Sequence, residues 1–330
     1  MHLTGLCNQL WTLLSLSVVR KSPSSVPLGE PKFVAEGGAG EIFELSSTIV
    51  VKVYFDRDGD QARNEKTFFC TVLKRKPLHE NVVRCFHCTT QLLFLENVSG
   101  GSLEKRLRQN QTRWIRPVQV AKLEDQGLAC RWMVELCRGI AWLEDLGYAH
   151  GDIRPDNLLL DRQDHLKVAD FGSITALGSP IDAGQPLYSR VLGPEAGKAA
   201  GTFGNHGPRS EQFAIGSVLF YITRGHALFD DKDLDAKKHG RIAAAYLQAK
   251  RFPPLDDREA IDAEIQNCWH GKYESIQALS RHIAALAPIK AVRTSTSSRR
   301  WLQAQEDLCK EIAKTGRMNR LIESVASSNQ

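Results

Sequence analysis

Two aspartate-bearing turns carry the strongest chemical signal in the sequence: HGDIRPDNLLL over His150–Leu160 and VADFG over Val168–Gly172. Asp170 offers the hard carboxylate oxygen that Mg²⁺ prefers, and Asn157 adds a neutral oxygen for such an ion. Asp152 can accept the hydrogen bond of a hydroxyl group, and Arg154 keeps positive charge beside it. Upstream, AEGGAGEI (Ala35–Ile42) gathers Gly37, Gly38 and Gly40, where backbone N–H groups can approach phosphate oxygens with no Cβ in the way. Lys52 follows in the apolar run IVVK. Glycine-rich hairpins and edge lysines are each common alone. Together with the carboxylates they supply what phosphoryl transfer needs, which is in-line positioning and compensation of charge on phosphate oxygens.

These groups need a scaffold that brings them together across more than a hundred residues. Short apolar runs at Ile42–Leu45, Ile49–Tyr54, Val82–Cys85 and Leu92–Leu95 have strand length. Between the second and third, Glu65, Phe68, Phe69, Val72 and Leu73 recur at three- and four-residue steps, a helical period with Glu65 as its one acidic member. From Ser102 onward helices dominate: Cys130–Leu146, stopped by Gly147, then Phe213–Thr223, closed by Gly225, then Ala260–Cys268 and Ile276–Leu286. Leu158–Leu160 and Leu166–Ala169 flank the turn at Asp161–Asp164 as short strands. A β-rich amino part before a larger helical part predicts an α+β chain of two lobes. The divisions expected are an extension over residues 1–31, a domain over 32–287 with lobes meeting near 97 and 98, and a linker with a helical tail over 288–330, broken at Gly316.

At the two aspartate turns the chain resembles the eukaryotic protein kinase family, and within it the divergent Ser/Thr kinase-like proteins common in fungi. His150, Asp152 and Asn157 match the catalytic-loop pattern H-R-D-L-x-x-x-N, and Asp170-Phe171-Gly172 match the metal-binding triplet. The resemblance implies a bilobal kinase fold, ATP with Mg²⁺ as phosphoryl donor, and Ser/Thr hydroxyls of protein substrates as acceptors. It assigns Gly37, Gly38 and Gly40 to the phosphates, Ile42 and Val50 to the upper wall of the adenine site, and Leu159 to its floor. Lys52 would hold the α- and β-phosphates with Glu65 as its partner, and is expected to face solvent. Leu95 becomes the gatekeeper, Glu96 and Val98 offer backbone groups to adenine, and Ser102 touches ribose. Asp152 orients the acceptor hydroxyl, Arg154 sits by the transferring group, and Asn157 and Asp170 take the metal. Gly193-Pro194-Glu195, the helix opening at Glu211 and Cys268-Trp269 resemble later landmarks of the family.

Four positions depart from the family pattern. Ala35 replaces a glycine, Gly151 replaces the catalytic-loop arginine, Glu211 lengthens a buried aspartate, and the late arginine that pairs with Glu195 is not evident. None of these touches phosphate, metal or the reacting hydroxyl. Two competing readings are a pseudokinase that serves as a binding scaffold and a small-molecule phosphotransferase of the aminoglycoside or choline type. The first normally lacks Lys52, Asp152 or Asp170. The second often has H-G-D-x-x-x-x-N, which His150–Asn157 fits, but the glycine hairpin and the Gly193–Glu195 segment favour protein acceptors.

The 330 residues carry a net charge of +5 that is dispersed rather than gathered, so no nucleic-acid partner is expected. Leu3–Val19 lacks a basic start, is interrupted by Asn8 and Gln9, and is too short and polar for a membrane span. The expectation is an intracellular protein, cytoplasmic or nuclear, with oligomeric state left open. Eight cysteines include the lone pair Cys85 and Cys88, whose strand positions would point to opposite faces and so spoil joint metal ligation. They read as buried free thiols.

Overall fold

The computed structural model describes residues 29–72, 78–113, 117–234, 238–256, 258–286 and 298–328. The expected lead-in over residues 1–28 and most of the linker before Ser298 lie outside them. The amino-terminal lobe is one antiparallel sheet of β1 (Lys32–Gly37), β2 (Gly40–Glu44), β3 (Ile49–Tyr54), β4 (Cys85–Cys88) and β5 (Leu92–Glu96), in the order β1-β2-β3-β5-β4. All six residues of β3 are buried, which is unusual for an antiparallel strand with one wetted face. The period of two explains it. Val50 and Tyr54 pack into the core that continues into the helical lobe, while Ile49, Val51 and Val53 join a second core on the opposite face. β5 divides the same way, with Leu93 and Leu95 below and Leu92 and Phe94 above.

α1 (Asp60–Thr67) turns Ala62 and Glu65 inward and runs into a π-helical turn over Phe68–Val72. The wider turn keeps both Phe68 and Phe69 buried on the inner side. The expected strand at Val82–Cys85 is shifted: Val82 bridges Val168, and β4 begins only at Cys85. A bulge between Cys85 and His87 changes the pairing register, so Cys85 and Cys88 both pack against the lower core rather than on opposite faces. Cys88 is also disulfide-bonded to Cys70, which corrects the free-thiol expectation for that residue; Cys85 is free.

The helical lobe contains α2 (Leu103–Arg108), the small ladder β6 (Gln111–Thr112) with β7 (Gln119–Val120), and α3 (Gln126–Asp145), the long helix anticipated at Cys130–Leu146. β8 (Tyr148–Ala149) leads to the hairpin of β9 (Leu158–Leu160) and β10 (Leu166–Val168), and β11 (Thr175–Ala176) pairs back with β8. α4 (Pro208–Arg224) is buried along most of its length and closes on Gly225 at φ +71, where a left-handed residue ends the helix. α5 (His239–Gln248), α6 (Ala260–Trp269) and α7 (Ile276–Leu286) complete the lobe. The two-lobed α+β arrangement expected from the sequence is present.

The tail forms α8 (Arg299–Lys314), capped by Ser298, and α9 (Asn319–Ser328), with Gly316 between them at φ +65. These helices cover the upper face of the sheet. Cys309, Ile312, Met318 and Val325 pack with Phe43, Ile49, Val51, Val53, Phe86 and Phe94 in one core cluster. Trp301 meets the Phe86 ring edge-on at 6.0 Å, and Thr48 Oγ1 donates to Gln305 Oε1 at 2.9 Å. No described helix is long and apolar enough to cross a membrane.

Candidate active site

The cleft between the lobes gathers the residues singled out in the sequence. β3 pairs Lys52 with Ile42 on one side and Leu93 on the other, which aims the lysine down toward the helical lobe. Its Nζ donates to Glu65 Oε2 at 2.7 Å and to Asp170 Oδ1 at 2.9 Å. Lys52 is 4% exposed, so the expectation of a solvent-facing lysine is corrected. Burial alone would lower its pKa, but the carboxylates of Glu65 and Asp170 outweigh it and hold the ammonium above its usual range. Glu65 is also buried and accepts two further bonds, from Tyr54 Oη at 2.9 Å and from the Phe171 N–H at 3.2 Å. Tyr54 was not singled out in the sequence. Its signal was parity, since a residue two positions after Lys52 on a strand shares its face.

Asp170 takes a left-handed backbone conformation at φ +60, tolerated by aspartate better than by most residues. Desolvation would raise its pKa, but the charge and hydrogen bond of Lys52 prevail and hold the carboxyl below the ordinary range. Phe171 turns inward and stacks on Phe68 at 4.8 Å, with the His150 ring edge-on to it at 5.2 Å. This aromatic pile ties the helix that carries Glu65 to the turn that carries Asp152.

His150 is fully buried and sits between the Ala169 carbonyl, 3.1 Å from Nε2, and the Asp152 N–H, which donates to Nδ1 at 3.3 Å. Those partners fix a neutral ring protonated on Nε2, and burial lowers its pKa in the same sense. Asn157 Nδ2 donates to the Asp152 backbone carbonyl at 2.9 Å and to its Oδ2 at 2.8 Å. Arg154 Nε lies 3.4 Å from the same Oδ2. The other carboxylate oxygen, Asp152 Oδ1, is buried with no hydrogen-bond partner among the described residues.

Below the loop, Glu211 accepts from the backbone N–H groups of His150 at 2.8 Å and Gly151 at 3.2 Å. Burial pushes its pKa up to about 7 against those two bonds. Gly151 stands at φ +78, and a Cβ there would meet the Ser173 carbonyl oxygen at 2.6 Å and His206 Cε1 at 3.2 Å. The glycine is therefore demanded by the backbone, and His206 occupies the ground beside it. Nothing in the sequence pattern pointed to His206. Glu195, expected to lack its arginine, pairs with Arg190 at 2.8 Å and Lys250 at 3.3 Å, and Arg190 in particular holds its carboxyl down to about 2.

The apolar residues expected around an adenine ring share one cluster that runs from the sheet to β9. Val50, Leu95 and Val98 are buried, while Ile42 and Leu159 are partly exposed beside them. Glu96 uses its side chain on Lys167 at 3.0 Å and its N–H on the Arg84 carbonyl. Ser102 bridges Leu159, and its hydroxyl oxygen caps α2 by accepting from the Lys105 N–H at 3.2 Å. Gly37 and Gly40 face each other at the end of the β1–β2 hairpin, with Gly38 in its turn. Among the described residues no group of three or more His, Cys, Asp or Glu side chains could hold a metal by itself. The donor set at Asn157 and Asp170 instead suits an ion that completes its shell with phosphate and water oxygens.

Comparison with known proteins bears directly on this arrangement. Residues 34–320 match the protein kinase domain family. Among curated proteins the chain is 33% identical over 135 residues to human (Homo sapiens) myotonin-protein kinase, covering 38% of this chain and 21% of that protein. It is 27% identical over 264 residues to the MAP kinase kinase kinase wis4 of Schizosaccharomyces pombe, covering 70% of this chain and 17% of the relative. It is also 27% identical over 213 residues to CBL-interacting serine/threonine-protein kinase 26 of Arabidopsis thaliana, covering 63% of this chain and 45% of the relative. The chain thus spans less than half the length of each of these relatives. With most of its residues inside the family match and the cleft built as described, the chain belongs to the protein kinase family.

Proposed function

We propose that the chain transfers the γ-phosphate of Mg-ATP to Ser or Thr hydroxyls of protein substrates. One observation carries the reading most: Asp152 presents a buried, unpartnered Oδ1 while Asn157 holds its other oxygen by a hydrogen bond and the Arg154 charge lies 3.4 Å from that oxygen. An acceptor hydroxyl donating to Oδ1 would satisfy that orphan oxygen and be oriented for attack. Lys52, already gripped by Glu65, would exchange its contact with Asp170 for the α- and β-phosphates, and Asp170 and Asn157 would hold Mg²⁺ through their side-chain oxygens. Mg²⁺, when bound, offsets charge on the phosphate oxygens. Gly37, Gly38 and Gly40 offer backbone N–H groups above the phosphates. Ile42, Val50 and Leu159 sandwich adenine, Glu96 and Val98 meet its edge through the backbone, and Ser102 keeps its hydroxyl proton for the ribose. Arg154 supports the transferring group. The serine/threonine kinases among the relatives favour that acceptor class.

The test is transfer of radiolabel from ATP to generic protein substrates, comparing the wild type with Asp152→Asn while nucleotide binding is followed separately. Nucleotide binding should persist and turnover should fall by about 10³-fold or more, on the order of 4 kcal/mol. Wild-type binding without any transfer would favour a scaffold. Asp152-dependent labelling of a small alcohol, with none on protein, would favour a small-molecule phosphotransferase.

A further inference from the structure

Beside Asp152 lies a cavity that the phosphoryl-transfer residues do not fill. It is open to solvent and lies between the catalytic loop and the segment 181–210. Ile153, Phe203 and Phe213 give it apolar walls, and Arg190, Arg209 and His206 give it a cationic and hydrogen-bonding rim.

The charges on this rim are not balanced. Arg190 is neutralised by Glu195. Arg209 gives one N–H to the Phe203 carbonyl at 2.6 Å, and no carboxylate of the described residues forms an ion pair with it. Burial, and then the neighbouring Arg190 charge, pull its pKa below the usual range, as happens to a guanidinium short of a counter-charge. His206 Nδ1 is buried with no partner. Three carboxylates lie nearby, and none answers Arg209. Glu211 is committed to the His150 and Gly151 N–H groups, Asp152 to Asn157, and the exposed Asp182 acts on His206. A half-buried guanidinium and an unpaired buried ring nitrogen each cost free energy that an anion would recover through charge-assisted hydrogen bonds.

We propose that this cavity receives an anionic side chain of the acceptor protein, a carboxylate or a phosphoryl group, held by Arg209 and His206 next to the acceptor hydroxyl. The inference deepens the kinase reading and rests on it. Asp152 and Arg209 border one cavity, and an extended chain advances roughly 3.3–3.6 Å per residue, so the anion falls within about two residues of the acceptor.

A peptide array tests this on the wild-type protein alone. A fixed serine acceptor is flanked, one position at a time, by Asp, phosphoserine, Asn or Lys, and kcat/KM is compared with the Asn peptide. An acidic residue at one position within about two of the acceptor should raise kcat/KM roughly tenfold, a factor worth about 1.4 kcal/mol. The Asp and phosphoserine arms tell a carboxylate from a phosphoryl ligand. Arg209→Gln should bring the ratio of acidic to neutral peptide close to one, and Arg209→Lys should retain part of it. Phosphorylation with a flat profile, or with a preference for Lys, would overturn the inference and leave the kinase reading standing. A flat profile with phosphate found on Ser189, which lines the same cavity, would place the anion in the chain itself and overturn it equally. No transfer to any peptide or protein would remove both readings together.

Discussion

The two faces of the amino-terminal sheet are made by alternate residues of the same strands, yet they do different work. On β3 the even positions Val50, Lys52 and Tyr54 face the cleft, and the odd positions Ile49, Val51 and Val53 face the tail helices. The cleft face carries a buried ammonium and a tyrosine hydroxyl, both donating to the buried Glu65 carboxylate. The tail face is a dry apolar contact with a single side-chain hydrogen bond at its margin, Thr48 to Gln305, among those resolved between sheet and tail. One face is arranged to hold charge in a fixed place, and the other to exclude water from the strands that hold it. Substitutions one residue apart should therefore fail in different ways.

The largest expected effect belongs to the cleft face. Lys52→Arg keeps the charge that Glu65 needs, but a planar guanidinium is wider and more directional than an ammonium. Turnover should fall by about 10³-fold, on the order of 4 kcal/mol, while the melting temperature moves only a few degrees. Lys52→Met should lose as much turnover and destabilise the lobe as well, because Glu65 is left buried without its cation. Kinetics and thermal melts on the same preparations check both. A Lys52→Arg protein with normal turnover would take this lysine out of the site.

On the tail face, Phe94→Ala should cost about 3–5 kcal/mol by opening a cavity between the sheet and α8–α9. Its melting temperature should drop by roughly 10 °C, with turnover per folded molecule within about twofold of wild type at low temperature. A selective loss of turnover at full stability would break the division between the faces.

A third test asks whether buried charge behaves likewise in the helical lobe. The folded state raises the Glu211 pKa from 4.5 to about 7. Between those values the folded chain keeps a proton that the unfolded chain has released, so stability falls as pH rises through the window and the loss is complete above about 7. The change is on the order of 3 kcal/mol at most. Glu211→Gln should flatten this slope in denaturant titrations run from pH 5 to 8, whatever its constant cost. The smallest effect expected is from Gln305→Ala, which removes the bond to Thr48 and should cost about 0.5–1 kcal/mol in the same titrations.

Much of this could be read from the sequence because the chemistry is local. Asp152, Asn157 and Asp170 lie in short motifs, and the strand and helix periods around Lys52 and Glu65 are regular, so type and spacing were enough to bring them forward. What stayed hidden depends on contacts between distant segments. Lys52 looked like a solvent-facing lysine because its burial comes from Glu65 and Asp170, 13 and 118 residues away. The β4 bulge, and with it the common face of Cys85 and Cys88, follows from pairing with β5 rather than from the run Val82–Cys85 itself. Gly151 read as a lost arginine, whereas its positive φ and the nearness of Ser173 and His206 make glycine a requirement of the loop. Periodicity announced the tail helices, but which surface they would cover was written in the odd positions of β3 and the even positions of β5.

The packing of α8 and α9 also sets a timetable for synthesis. Thr48 and its partner Gln305 are 257 residues apart, so the small lobe leaves the ribosome long before the helices that complete it. At about 5–20 residues per second that interval is roughly 10–50 s, during which Phe43, Val51, Phe86 and Phe94 have no cover from their own chain. The nascent sheet is in that period an apolar surface with an open edge, the kind of target that chaperones hold and that neighbouring chains can pair with.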